Sequence, residues 1–392
     1  MLNARIRMLV VLMGLLLLRA GALHKIVTYR DCHPRMNHKP ASLLVRLQKP
    51  LKMESTAENF ATAPLSIDTK TRNRDLFKLV WNFSRPHTVL GSAVSIISLF
   101  MFTVSPSAWA SQSFLVAIFR SMVPSIFMNL YITGLNQVTD VKVDKINKPY
   151  LPIASGALSY RNGIVIVICS LVASIITSWG AEWPLLSVLF GSFLLGTMYS
   201  IPPVRLKRFP LLAASCIFVV RGSLVNLGFI WQAKKVVCSV DGGPIYLLSA
   251  FPESIIVTAF FAMYGFVIAI MKDVPDIEGD SKFQILTFSV KRGAHRMFQL
   301  SYNLLFGLLV SASFMNSGVL IFTAALRGGI GALNILCSAV FSIMMASFAL
   351  YLRKKACFVR VDNIDEVYLY YMDVWKIFYA CYVLLPLLHS VT

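Results

Sequence analysis

Charge is what this chain has least of. Only 14% of its 392 residues are Asp, Glu, Lys or Arg, and acids are scarcer than bases, 18 against 37. A soluble domain carries about a quarter charged residues, so an ordinary water-soluble fold is excluded. The seven cysteines (Cys32, Cys169, Cys216, Cys238, Cys337, Cys357 and Cys381) are odd in number and show no CxxC spacing. That argues against a disulfide framework and against a zinc site. Several lie inside apolar runs, where a lone Cys behaves as a small hydrophobe. Of six histidines only His33 and His38 are near each other, which gives no basis for a histidine metal centre.

Apolar residues fill the chain instead, at 57%, in runs of 17 to 25. Each run is long enough to cross a bilayer. The pattern predicts an all-α membrane protein of about nine spans. Six of them are Thr88–Ser105, Phe114–Leu135, Gly163–Gly180, Pro184–Tyr199, Pro210–Trp231 and Ser254–Met271. A seventh is Phe298–Phe314; an eighth falls within Val319–Leu352, interrupted by Arg327, Gly328 and Gly329, and a ninth within Tyr368–His389.

The net charge of +19 would suggest nucleic acid in a soluble protein. Here the bases sit in short loops between apolar runs, so no nucleic-acid partner is expected and the bilayer is the partner. Loops after the even-numbered spans carry sixteen bases, from Lys142 to Arg360; the opposite loops carry Lys234, Lys235 and Arg327. The base-rich face is the cytoplasm-equivalent one, which in a plastid is the stroma.

Residues 1–75 differ from the rest, leaving 76–392 as the membrane domain. Between Met1 and Met53 there are ten Lys or Arg and one acid, Asp31. That is transit-peptide composition, although the run Met8–Leu18 followed by Ala20-Gly21-Ala22 looks like a secretory signal. A cleaved targeting segment is expected, with a disordered tail as the plain alternative.

The acids gather in two places. Asn136, Asp140 and Asp144 are spaced four apart, ahead of Lys148 and Pro149. If the second span continues, all three share one helix face until Pro149 ends it. Asp276 and Asp280 repeat the spacing just after the sixth span, beside Lys272 and Asp273. Either cluster alone reads equally well as a charged helix end. Together they lie on one face, where they would repel unless cations sit between them. Oxygen ligands without His or Cys suit Mg²⁺, which commonly bridges carboxylates to phosphate oxygens. A diphosphate is the simplest ligand to join the two, with Lys148, Arg205, Lys207, Arg208 and Lys272 adding charge. Arg221, near the middle of the fifth span, is costly there and marks a site or a structural pair. Arg85 and His87 open the first span on the same face, as site residues or interface anchors. Arg120 can snorkel and reads as structural.

The run from Asn136 to Gly156 resembles the first aspartate motif of the UbiA superfamily of membrane prenyltransferases, and Lys272 to Asp280 resembles the second. Tyr199 to Arg208 and Ser84 to Thr88 are similar to the plant aromatic prenyltransferases, of which homogentisate phytyltransferase is the reference member. The resemblance spans roughly Phe77 to Pro386. It implies nine helices around a central cavity, in a plastid (chloroplast) membrane. It implies Mg²⁺ held by Asn136, Asp140, Asp144, Asp276 and Asp280 on an allylic diphosphate. Lys148, Arg205, Lys207 and Lys272 would neutralise the leaving group, with Arg85 and Arg221 as further candidates. Asp273 is a candidate base for the aromatic acceptor.

Two departures, Cys381 in the last span and Lys142 inside the first motif, tilt the expectation toward a specialised phenolic acceptor such as a coumarin (umbelliferone-like) or flavonoid. Homogentisate with a phytyl or geranylgeranyl donor is the alternative. A transporter and a non-catalytic scaffold are the readings from other classes. A transporter would carry charge at mid-membrane rather than at one face.

Overall fold

The computed structural model describes the backbone of residues 77–327 and 331–390, with side chains over 77–316 and 331–388. The basic segment 1–75, expected to be a targeting sequence, lies outside the described residues. Among the described residues, nine helices are long and apolar enough to cross a membrane. They are α1 (Pro86–Thr103), α2 (Gln112–Thr139), α4 (Tyr160–Thr177), α5 (Trp183–Ser200), α6 (Pro210–Val236), α8 (Glu253–Lys272), α11 (Ala294–Arg327), α12 (Ala332–Ala356) and α13 (Ile364–Leu384, extended by a 3₁₀ turn). Four short helices lie between them: α3 (Val141–Asn147), α7 (Pro244–Ala250), α9 (Ile277–Lys282) and α10 (Phe288–Arg292).

Local chemistry sets several of the starts. Pro occupies the first turn of α1, α5 and α6, where its missing N–H costs nothing. Ser111 and Ser159 cap α2 and α4 by accepting from Phe114 N and Asn162 N. The expected seventh span is longer than its apolar core, because α11 carries on to Arg327. α11 therefore takes in Arg327, which was expected to interrupt the eighth span. The eighth span begins at Ala332 and runs past Leu352 to Ala356, with Arg353, Lys354 and Lys355 in its last turn, where cations suit the helix dipole.

Without water to drive apolar association, membrane helices rely on close packing and polar contacts. Asn316 of α11 donates to Ser338 O and Ser338 Oγ of α12, at 2.9 and 2.7 Å. Ser174 of α4 donates to Pro124 O of α2 at 2.9 Å. Two helices are central. In α8 and in α13, 67% of the apolar window is buried, against 22% in α4, so α4 faces lipid. Phe261 of α8 stacks on Tyr382 of α13 with ring centroids 3.6 Å apart, and Tyr264 OH donates to Val374 O at 2.9 Å.

α6 is not regular throughout. Phe218–Leu224 forms a π-helical turn at its middle. Asn226 satisfies the loosened carbonyls, donating to Arg221 O and Gly222 O at 2.9 and 2.6 Å. Such turns tend to mark functional positions.

α1, α2, α5, α6, α8 and α13 surround a central cavity of about 600 Å³, within the usual range for a small-molecule site. The all-α, nine-span architecture around a cavity is therefore as the sequence predicts.

Gly222 lets α6 reach α8. A Cβ there would meet Ala262 Cα at 2.3 Å. Gly222→Ala should destabilise the fold by about 1–3 kcal/mol, as overpacking does. Gly307→Ala, which meets nothing within 4 Å, is the matched control. Thermal unfolding in detergent checks the pair, and equal midpoints would contradict the packing.

Candidate active site

The polar end of the cavity is assembled where α2, α5 and α8 end. The second span does not stop at Leu135. It runs to Thr139, bends at Asp140 (φ −110°) and resumes as α3. The bend does not interrupt helical bonding: Asp140 N donates to Asn136 O, Asp144 N to Asp140 O and Lys148 N to Asp144 O, at 3.0, 2.8 and 2.7 Å. Asn136, Asp140 and Asp144 thus line one side of the cavity, as their spacing predicts.

Asp140 is the carboxylate of this motif that bases hold directly. Arg205 Nη2 donates to Asp140 Oδ1 at 2.7 Å, and Lys207 pairs with Asp140 Oδ2. Asn136 relays a third base: Arg85 Nη2 donates to Asn136 Oδ1 at 3.2 Å and Asn136 Nδ2 to Asp140 Oδ2 at 3.0 Å. Arg85 and Arg205 both adopt left-handed backbone, with φ of 53° and 35°. For a residue with a Cβ this costs on the order of 1–3 kcal/mol, and such strain collects at functional sites.

The second motif follows α8. Lys272 pairs with Asp273 at 2.9 Å and donates to Tyr199 OH at 3.0 Å. Lys148, from the first motif, pairs with Asp276 of the second. Asn147, which sequence reasoning missed, ties the motifs a second time. Its Nδ2 donates to Asp280 Oδ1 at 3.3 Å, and its Oδ1 accepts from Gly279 N at 2.7 Å. Only glycine allows that approach, since a Cβ at 279 would lie 2.4 Å from Asn147 Oδ1. No local signal marks it, because the partner Gly279 lies 132 residues further along the chain.

Burial shapes the electrostatics. It pushes the Asp144 carboxyl up to about 6, with Asp140 and Asp276 adding and Arg85 and Lys148 opposing. Burial, then Asp276 and Asp273, pushes Asp280 up to about 7. Asp273 is also raised, by burial against the pull of Lys272. Burial lowers Lys207 to about 8 despite Asp140. For Lys148 burial acts downward, but Asp276 prevails and the ammonium is raised.

Buried Asp144 Oδ2 and Asp276 Oδ1 have no hydrogen-bond partner in the protein. A bare buried carboxylate oxygen is expensive, and such an oxygen suits a hard cation. No three acids converge in one ligand shell among the described residues. Mg²⁺ asks for less: one or two carboxylates, waters and substrate phosphate oxygens. The donor set therefore fits an ion whose shell a diphosphate completes.

Arg221 lines the same cavity but stands apart from this cluster. It forms no ion pair with any acid among the described residues. Its guanidinium lies over the Trp375 ring, 5.1 Å from the centroid. Arg208, expected to add charge to the diphosphate, is exposed and does not line the cavity, and Arg120 is exposed, in keeping with a structural role. Neither departure noted in the sequence reaches the cavity. Cys381 is buried against Met345, with sulfurs 3.9 Å apart, and Lys142 is exposed.

Residues 93–361 match the UbiA prenyltransferase family. The chain is also 39% identical over 334 residues to homogentisate phytyltransferase 1 of Arabidopsis thaliana, a chloroplastic protein, covering 84% of this chain and 80% of that one.

The chain belongs to the UbiA prenyltransferase family.

It is an aromatic prenyltransferase, and the transporter and scaffold readings are set aside. It is 31% identical to glycinol 4-dimethylallyltransferase of Glycine max over 372 residues, 92% of this chain and 82% of that one. A UbiA homolog from Archaeoglobus fulgidus bound to GPP and Mg²⁺ shares the fold at TM-score 0.52 and 15% identity, covering 79% of this chain and 99% of that one.

The Asn147 bridge generates a local prediction. Asn147→Ala removes two hydrogen bonds, together about 1–3 kcal/mol, between α3 and α9. Amide exchange over 276–283 should speed up markedly while α4 is unchanged. Uniform exchange across both regions would contradict the bridge.

Proposed function

We propose that this UbiA enzyme transfers a phytyl or geranylgeranyl group from its diphosphate to a ring carbon of homogentisate, at a plastid membrane, with the acid loops facing the stroma. The observation that carries the reading is the meeting of two acid motifs, their bases and an aromatic-lined cavity at one place. The acceptor rests on the identity of 39% to a homogentisate phytyltransferase. The tilt toward a coumarin or flavonoid, drawn from Cys381 and Lys142, loses its ground because neither residue lines the cavity. A specialised phenolic with a dimethylallyl donor stays as the second reading, on the 31% identity to the glycinol enzyme.

Asn136, Asp140, Asp144, Asp276 and Asp280 would hold Mg²⁺, which supplies charge neutralisation at the diphosphate. Lys148, Arg205, Lys207 and Lys272 bind and orient that diphosphate, drawing electron density as the allylic C–O bond breaks. The electron pair of that bond leaves with the diphosphate. The allylic carbon becomes cation-like, ring electrons of the phenol form the new C–C bond, and the attacked ring carbon then loses its proton to restore aromaticity. Aromatic rings of the cavity, among them Tyr371, favour such a cation through their faces. Apolar walls from α5 and α6 keep water from quenching it. Asp273 lines the cavity with its pKa raised by burial, which suits it to accept a proton from the acceptor.

Membranes containing the protein, supplied with Mg²⁺, should prenylate homogentisate with phytyl or geranylgeranyl diphosphate in preference to umbelliferone or a flavonoid with any donor. Asp140→Ala and Asp276→Ala should each lower turnover by about 10²-fold or more. Product from a flavonoid and dimethylallyl diphosphate alone would move the assignment to the second reading.

Cation dependence should vary with pH. Burial raises Asp144 to about 6 and Asp280 to about 7, so both gain protons as pH falls through that range. Protons and the cation compete for the same oxygens. The Mg²⁺ concentration for half-maximal rate should therefore be lowest near pH 8 and rise toward pH ~6. A constant value across this range would contradict the competition.

A further inference from the structure

Arg221 is the charge that the diphosphate site does not use. It sits in the π-helical turn of α6, eleven residues past Pro210. At about 1.5 Å per residue it lies roughly 16 Å along the span from the end where Lys207 and the acid motifs meet. Among the described residues it has no ion pair and no side-chain hydrogen bond, although its side chain lines the cavity. An unpaired guanidinium at that depth is costly, by about 2.5–3.5 kcal/mol on insertion scales, and marks a site.

Its surroundings are aromatic rather than acidic. Trp375 lies under the guanidinium, and His87 packs edge-on against Trp375 with centroids 5.3 Å apart. Tyr379 OH donates to His87 O at 2.6 Å and Tyr382 OH pairs with Asn226 Oδ1 at 2.9 Å, so both hydroxyls are committed elsewhere. Gly91 of α1 makes the room. A Cβ there would lie 3.2 Å from Trp375 and 3.6 Å from Arg221 Nη1. The result is a cationic fork beside an aromatic face, opening on the cavity.

We infer that Arg221 anchors a carboxylate of the aromatic acceptor while Trp375 packs against its ring, so that Arg221 selects acidic phenols over neutral ones. This rests on the homogentisate reading, and homogentisate carries such a carboxylate. The geometry suits the pair: a guanidinium binds a carboxylate in two parallel hydrogen bonds. Charge gives a second reason. A bare cation near a developing allylic cation would oppose the reaction, and a bound carboxylate cancels it. The acceptor thus brings the counter-charge that the protein omits.

The test compares wild type, Arg221→Gln and Arg221→Lys, purified in detergent, with a fixed prenyl diphosphate. Acceptors are homogentisate and methylhydroquinone, which has the same hydroxyls and no carboxylate. In Arg221→Gln the ratio of kcat/KM for homogentisate over methylhydroquinone should fall about tenfold or more. The fall should come through the acceptor KM, with the KM for the prenyl diphosphate unchanged. Arg221→Lys should recover part of the ratio, as a point charge without the fork. A raised donor KM would overturn the proposal in favour of diphosphate binding, and an equal loss with both acceptors would overturn it in favour of a structural role. Calorimetric binding of homogentisate to the same proteins separates the two readings. Binding that Arg221→Gln abolishes, without turnover in wild type, keeps the anchor and removes the homogentisate activity. Turnover with an unaltered ratio keeps the activity and removes the anchor.

Discussion

Five carboxylates, those of Asp140, Asp144, Asp273, Asp276 and Asp280, line one end of a cavity set among membrane helices. Two like charges about 4 Å apart repel by roughly 4 kcal/mol at the effective dielectric of a protein. Burial adds a penalty for each ionised group. The site exists because five bases answer them: Arg205 and Lys207 on Asp140, Lys148 on Asp276, Lys272 on Asp273, and Arg85 through Asn136. Most of the other features follow from this balance. α3 has to stay in helical register so that Lys148 reaches across, Gly279 has to lack a Cβ so that Asn147 can close the gap, and Tyr199 holds Lys272 from α5. The same bases that offset the acids are the ones that a diphosphate would draw toward itself. The pairs are thus a holding arrangement, with each partner able to exchange a neighbour for a substrate atom or an ion.

Much of this was legible in the sequence, for reasons of scale. A bilayer imposes a length on every span, so nine apolar runs declare themselves, and the ends of the first six fall within about five residues of the helices. The four-residue spacing of Asn136, Asp140 and Asp144 survives the bend at Asp140 because backbone bonding carries through it. What could not be read depends on three-dimensional closeness. Nothing in the run around Asn147 says that a glycine 132 residues later leaves room for its amide. The positive φ of Arg85 and Arg205 runs against the local preference of a residue with a Cβ. Arg327 belongs to the end of the seventh helix and not to the eighth, which the apolar residues continuing past it in the sequence do not reveal.

The acceptor question shows the same limit from the other direction. Cys381 and Lys142 stand out in the linear motif, yet one is packed against Met345 and the other is exposed. Departure from a pattern is informative about a substrate only where the residue touches the cavity. Gly91, Tyr371 and Trp375, unremarked in the sequence, are close to it.

The left-handed arginines carry a consequence for any attempt to harden this protein against heat. The usual remedy for a non-glycine residue at positive φ is glycine, which removes the steric conflict. At 85 and 205 that remedy would also remove a guanidinium from the acid cluster, leaving Asp140 with one direct cation instead of two, or Asn136 without its relay. Relaxed backbone and compensated charge are therefore alternatives at these two positions, and selection for thermal endurance would draw the sequence away from selection for turnover.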